Sequence, residues 1–393
     1  MLRTYDVIII GGGIIGSAIA YFLSANQNFD GTVLVVDRDL TYVQNSTSLS
    51  VGGIRQQFST PENILISKFA EYFIKHIGEF LTIEDEEPNV SFVENGYLFL
   101  ASEKGLPILR RNHDIQRAHE VNVRLLDSDK LGKRFPWLNV SDLAAGSIGL
   151  SGEGWIDPYS LLMAFVKKAK SQGVHYIENE VVAIKKSAST VTSVRLADDS
   201  VLSCGSIVNA AGPRAAQVAE LAGICDLPVH PRKRFVYTFN CREEIENCPL
   251  VIDPGGVYFR PEGRRFICGV SPKEEDDPDC LDVRMEYNLF ERIIWPKLAV
   301  RVPAFESIKL GNSWAGHYAV NTIDQNAILG PHPKLKTFYF ANGFSGHGLQ
   351  QAPAVGRALS ELIAFGSFRS INLSSFSFER FGSGALLREI NVV

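Results

Sequence analysis

Cysteine is scarce and follows no metal or disulfide pattern: six occur among 393 residues, at 204, 225, 241, 248, 268 and 280, with no C-x-x-C spacing. A disulfide scaffold is excluded, a zinc site is disfavoured, and a reducing compartment fits. Basic residues never run beyond Arg232, Lys233 and Arg234, and 39 Lys plus Arg against 44 Asp plus Glu leave a net charge of −5. No nucleic-acid partner is expected of such a chain. Apolar runs of membrane-span length are missing too, because the longest candidate, Val7 to Leu23, is broken by Gly11, Gly12, Gly13 and Gly16. It reads as strand, turn and helix, and no integral membrane segment is expected. Internal repeats and low-complexity tracts are absent from the sequence. Only four residues precede Tyr5, so the expectation is a prokaryotic, cytoplasmic chain without a targeting peptide, or a mature or truncated form of a longer one.

What is there is 45% hydrophobic and 21% charged, a globular composition with material for a large core. At about 150 residues per domain the length suggests two or three folding units. Val7, Ile8, Ile9 and Ile10 form a β-branched run of the kind buried on both faces of a parallel sheet. Glycines follow at once, then a helical stretch from Ile14 to Ser24 and a second apolar run, Val33 to Val36, ending in Asp37. Gly11, Gly13 and Gly16 thus make G-x-G-x-x-G between a strand and a helix, with an acid 21 residues past the last glycine. Glycine is needed there for the tight turn, for backbone approach to a pyrophosphate and for helix packing; the acid accepts hydrogen bonds from a ribose. Dinucleotide binding is expected.

Related pieces recur far along the chain. Asn209, Ala210, Ala211 and Gly212 end a strand with small residues, and 343–348 (GFSGHG) form a corner before a helix from about Leu349 to Ala364, with Pro353 placed near its first turn. Residues 84–151 and 226–312 carry no nucleotide fingerprint, and an acidic loop at 274–279 reads as a solvated turn. The expected fold is therefore α/β: a Rossmann-like domain of residues 1–83, 152–225 and 313–393, interleaved with a smaller, mainly antiparallel α+β substrate domain of 84–151 and 226–312. A simple nicotinamide dehydrogenase would keep its nucleotide domain continuous. FAD, longer and bound extended, suits the interrupted layout, while the nicotinamide alternative predicts a colourless protein.

These stretches, together with STSLSVGGIRQQFSTPENI (46–64), resemble the D-amino-acid oxidase and sarcosine oxidase superfamily of FAD enzymes. KRFPWLN (133–139), EGWIDP (153–158), PRKRFVY (231–237), LAVRVPAFE (298–306) and DQNAILGPHP (324–333) are similar to a mitochondrial branch of it associated with assembly of respiratory complex I. The resemblance implies that Gly11, Gly12, Gly13, Ile14, Ile15, Gly16 and Asp37 hold the ADP half of FAD. Arg38, Ser46, Thr47 and Ser48 would follow the phosphate and ribityl path, with Val182 near the adenine and Ala210, Ala211 and Gly212 against the cofactor. Val51, Gly52, Gly53, Gly316, Gly343, Gly346, His347, Gly348, Leu349 and Gln350 complete the implied FAD site.

Covalent tethering occurs in parts of the superfamily, but His317 stands at the cysteine-type position and no histidine lies near Ser50 and Val51, so non-covalent FAD is expected. His317 is either a flavin-facing polar group or a satisfied histidine. Gln350 replaces a lysine that the sarcosine branch uses for substrate carboxylate, which weakens sarcosine as the substrate. Arg55, in the segment that approaches the flavin ring, and Tyr258 and Arg260, on an aromatic strand that would roof the pocket, are the candidate substrate contacts, because a planar guanidinium fork matches a carboxylate. His347 is expected to pack on the cofactor rather than transfer a proton. The phosphates are expected to be held by backbone amides rather than charged clamps. The expected reaction is oxidation of a C–N bond in a small amine or amino acid, re-oxidation by oxygen or by a quinone-linked acceptor being equally compatible. The alternative is an FAD-stabilised assembly factor whose partners are respiratory complex I subunits, on the matrix side of the mitochondrial inner membrane.

Overall fold

A computed structural model describes residues 2–390. The run Val7–Ile10, apolar at every position, forms the second half of β1 (Thr4–Ile10) inside an eight-stranded sheet. Its missing alternation has a direct cause. Val7 and Ile9 enter the hydrophobic cluster on one face, while Tyr5, Ile8 and Ile10 enter the cluster on the other. β2 (Val33–Asp37) divides in the same way, with Val33 and Val35 on one side and Leu34 and Val36 on the other. Between them α1 (Ile14–Ser24) packs against the last long helix, Gly348–Phe365, where Gly356 lies so close to Ala18 that a Cβ would press on its backbone.

β1 pairs in parallel with β2 and with the strand Val201–Asn209, which pairs in parallel with Phe338–Asn342. Register puts Ile10 beside Asn209 and Asn209 beside Phe340. The three glycine-bearing corners therefore emerge from one end of the sheet, at the carboxyl ends of its strands, where open α/β sheets bind ligands. Pro353 is the sixth residue of the last helix, not near its start, because the helix begins at Gly348. It lies in the second turn, where its ring removes an N–H that Leu349 would otherwise accept.

The second eight-stranded sheet contains Tyr97–Ala101, Val123–Asp127 and Ala145–Gly149 from one insertion and four strands from the other, closed by Lys309–Asn321. That last strand crosses the 312/313 boundary: it is antiparallel to Val229–Asn240 from Asn321 opposite Val229 to Lys309 opposite Asn240. All pairings in this sheet are antiparallel except Leu250–Ile252 with Tyr97–Ala101. Its core is aromatic, with Phe239, Phe259 and Phe266 packed around Phe305. Among the described residues no helix is long and apolar enough to cross a membrane.

Candidate functional site

The first glycine turn is built by sterics and one short hydrogen bond. Gly11 has φ +106, and a Cβ at Gly16 would overlap the Gly11 carbonyl oxygen. Gly12 N–H donates to Asp37 Oδ2 at 2.6 Å, and Asp39 N–H donates to Oδ1 at 3.0 Å. Burial nevertheless holds the Asp37 pKa above its ordinary value. Thr47 joins the turn by accepting Ile14 N–H at 3.2 Å. Nothing caps α1 through a side chain at Gly13, so its amino end faces the cleft as an anion-binding end.

From this turn a cavity of about 640 Å³ runs under the second sheet. Gly11, Gly13, Ile14, Ile15, Asp37 and Arg38 line one end, followed by Ser46, Thr47, Val51, Val182, Ala210, Ala211 and Gly212. Tyr258, Gly316, His317, Gly346, Gly348 and Leu349 line the other. Gly12 and Gly16 lie inside the turn, and Ser48, Gly52, Gly53 and Gly343 pack behind the lining. Gly346 has φ +95, and a Cβ there would run into the ring of Tyr318. The glycine corner, the acid on β2, the helix end and the length of the cleft form a cradle that fits an extended flavin dinucleotide.

Four further candidates, with long side chains, also stand outside the lining. Arg55 is fully buried, donating to Gln57 O at 2.6 Å and lying 2.9 Å from His347 Nε2, with its guanidinium 4.1 Å from the Phe58 ring centre. His347 is pushed well below its ordinary pKa, by burial first and then by Arg55, so its ring is neutral. Gln350 accepts the Arg55 backbone N–H at 2.8 Å and is part of the packing. Arg260 donates through Nε and Nη2 to the Val51 carbonyl at 3.0 and 2.7 Å, and through Nη1 to Pro261 O at 2.7 Å and to Glu262. It therefore positions the loop that carries Val51 to the cavity wall, and its fork is directed at backbone rather than at the cavity.

Other residues that sequence reasoning passed over also build the site. Arg214 lines the cavity with Arg38, and its pKa is lowered by burial and by that neighbouring cation, so charged side chains as well as amides serve this end of the cleft. Arg214 follows the Ala-Ala-Gly-Pro run directly, which was the available signal. Tyr318 and Arg234 line the far end. Burial raises the pKa of Tyr318 and lifts that of Tyr258 well above the ordinary phenol value, so both phenols keep their protons. His317 has its pKa lowered by burial, and its Nε2 donates to the Asp282 carbonyl at 3.0 Å, leaving Nδ1 unprotonated in the neutral ring. The acidic loop is not simply a solvated turn: Glu274–Asp276 form an exposed 3-10 turn, but Asp277 folds inward onto Arg234. Behind the loop at 55–57, Glu153 is fully buried and accepts N–H groups from Gln56 at 2.7 Å and Gln57 at 3.1 Å. Among the described residues no group of three or more His, Cys, Asp or Glu could hold a metal ion.

An interrupted Rossmann-type sheet, a cleft shaped for an extended dinucleotide and an antiparallel sheet roofing its far end define a two-domain flavin oxidoreductase. The FAD dependent oxidoreductase family model matches residues 6–362, and the chain belongs to that family. It is 46% identical to FAD-dependent oxidoreductase domain-containing protein 1 of Xenopus laevis, over 99% of this chain and 85% of that protein, and 44% identical to the Bos taurus protein of the same name, over 98% and 86%. Among solved structures it is similar to L-proline dehydrogenase from P. horikoshii, with TM-score 0.87 and 27% identity over 98% of this chain and 100% of that one. The cofactor is FAD: the family is defined by it, and an L-α-glycerophosphate oxidase of the same fold, with TM-score 0.75 and 20% identity over 94% of this chain and 97% of that one, was solved with FAD bound.

Proposed function

We propose that the chain oxidises the C–N bond of a small amino acid or N-methyl amine. The observation that carries this reading is the far end of the cavity, where the antiparallel sheet contributes Tyr318, whose ring abuts Gly346, together with Tyr258 and a neutral histidine, His317. Bound FAD supplies the hydride acceptor; the amine leaves as an imine, which water hydrolyses. The chain has little proton chemistry to perform. A neutral amine needs placing rather than deprotonating, and two protonated phenols and a half-buried imidazole can hydrogen-bond and orient it. Likeness to L-proline dehydrogenase, and 26% identity to the mitochondrial sarcosine dehydrogenase of Mus musculus over 96% of this chain and 41% of that protein, support a secondary or N-methyl amine as substrate.

The experiment is anaerobic mixing of the holoprotein with a panel of amino acids and their N-methyl derivatives, with flavin bleaching as the readout. Rapid bleaching by one of them is expected. A second reading, an FAD-stabilised assembly factor for respiratory complex I with little catalysis, draws support from Gln350, which is held by Arg55 and Ser67 in the packing instead of facing substrate. There FAD acts as a ligand that favours the folded state. If no amine bleaches the flavin while affinity capture from mitochondria recovers complex I subunits, the oxidase reading is replaced by this one.

A further inference from the structure

The segment 271–289 lines the cavity through Leu281 and Val283 and is tied to the strand Val229–Asn240 by a ladder of opposite charges. His230 and Arg232 meet Asp279 at 2.9 and 3.3 Å, and Lys233 meets Asp282 at 3.1 Å. In each of these rungs the acid is exposed to solvent, so water and salt weaken the pairing. One rung differs. Arg234 and Asp277 are joined by two parallel hydrogen bonds, Nη1 to Oδ1 and Nη2 to Oδ2, both 2.7 Å, with side chains 13% and 12% exposed.

Arg234 also belongs to the cavity. It lines the far end beside Tyr258, and its guanidinium carbon lies 5.1 Å from the ring centre of Tyr318, the ring that abuts Gly346. Its Nε is buried with no hydrogen-bond partner, so the carboxylate of Asp277 leaves the guanidinium incompletely satisfied. Leu281 and Val283, from the same segment as Asp277, form part of the cavity wall. Beyond these charge pairs the segment is held by Cys280 N–H on Pro231 O at 2.9 Å, by His317 on the Asp282 carbonyl and by the Tyr237 hydroxyl on the Glu286 carbonyl, all C-terminal to Asp277. A fork-to-fork carboxylate at the inner end of a flavin cleft, on the one rung whose acid is largely buried, has the form of an internal ligand.

We propose that 271–289 is a lid latched by its own carboxylate: Asp277 occupies the guanidinium that a substrate carboxylate takes when the lid opens. Exchange of one carboxylate for another conserves the ion pair, so the buried cation is never left uncompensated. Arg234 thereby selects carboxylate-bearing amines, and Asp277 sets how much binding strength an incoming acid must show. This rests on the amine-oxidation reading for the identity of the substrate, but not for the binding step.

The test uses holoprotein with benzoate and its neutral isostere benzamide, following the shift each produces in the visible flavin spectrum. Wild type is expected to bind benzoate at least about tenfold more tightly than benzamide, the usual effect of a charge-assisted fork. Asp277→Asn is expected to tighten benzoate by about tenfold and leave benzamide unchanged, because the competing state is removed. Arg234→Gln should erase the preference for benzoate, and Arg234→Lys, which keeps the charge without the fork, should restore part of it. Flavin content and melting temperature of each variant establish that it is folded, and the benzoate-to-benzamide ratio does not respond to a merely structural defect. Unchanged discrimination in Arg234→Gln, no tightening in Asp277→Asn, or no benzoate binding to wild type and Asp277→Asn alike overturns the proposal. Benzoate binding through Arg234 with no amine bleaching the flavin leaves the lid standing and removes the oxidase reading. Bleaching by an amine that Arg234→Gln leaves untouched does the reverse.

Discussion

Replacing Glu153 by glutamine removes a carboxylate whose pKa burial raises from 4.5 to about 7, against the opposing pull of the Gln56 and Gln57 N–H donors and of Arg55. The folded pKa exceeds the unfolded one, so the contribution to stability is complete below pH 4.5 and is lost as the pH rises through 7. At about 1.4 kcal/mol per pKa unit that amounts to roughly 3 kcal/mol. Glutamine keeps an oxygen for the Gln56 and Gln57 N–H groups and carries no titrating proton. The difference between the two proteins should therefore change with pH, even if the variant is slightly destabilised at every pH. With about 2.1 cal/mol/K of unfolding entropy per residue over 393 residues, the variant's melting temperature should rise relative to wild type by roughly 3–4 °C between pH 4.5 and 7.5. Thermal unfolding of both holoproteins across that range is the assay. A flat difference curve would show that Glu153 does not change protonation there and would refute the account of its burial.

Three further outcomes follow from the cleft. Asp37→Ala removes the acceptor of the 2.6 Å bond from Gly12 and a carboxylate that lines the cavity, where it would accept from the ribose; losing a charged hydrogen-bond partner costs about 1.5–3 kcal/mol, so FAD affinity of the apoprotein should fall roughly tenfold to hundredfold in a flavin titration. Gly346→Ala forces a side chain into a φ of +95 and onto Tyr318, with roughly 1–2 kcal/mol lost from the backbone alone, and a lowered melting temperature with reduced flavin content should report it. Acid precipitation should release yellow FAD into the supernatant, because among the described residues His317 is the one histidine or cysteine along the cavity wall and its Nε2 is bonded to the Asp282 carbonyl; colour retained in the pellet would show a covalent link.

What the amino-acid sequence alone determined is the part of the protein governed by local sterics and period. Val7 to Ile10 had to be buried on both faces, the glycines after it had to turn, and Asp37 had to end the next strand, so the nucleotide end of the cleft was legible within a single β-α-β unit. Tertiary structure decided where the long side chains go. Arg55, Arg234 and Arg260 look alike as letters, each a flexible stem with a planar cation, and their partners lie on other elements: His347, Asp277 and the carbonyl of Val51. Only strand register and the path of the 271–289 segment place Arg234 on the cavity with a carboxylate already in its fork, while Arg55 and Arg260 are turned toward the scaffold. Glu153 shows the same limit, since its shifted proton affinity comes from burial behind a loop nearly a hundred residues earlier in the chain. Backbone conformation answers to nearby residues, whereas the neighbours that give a charge its task are fixed by packing.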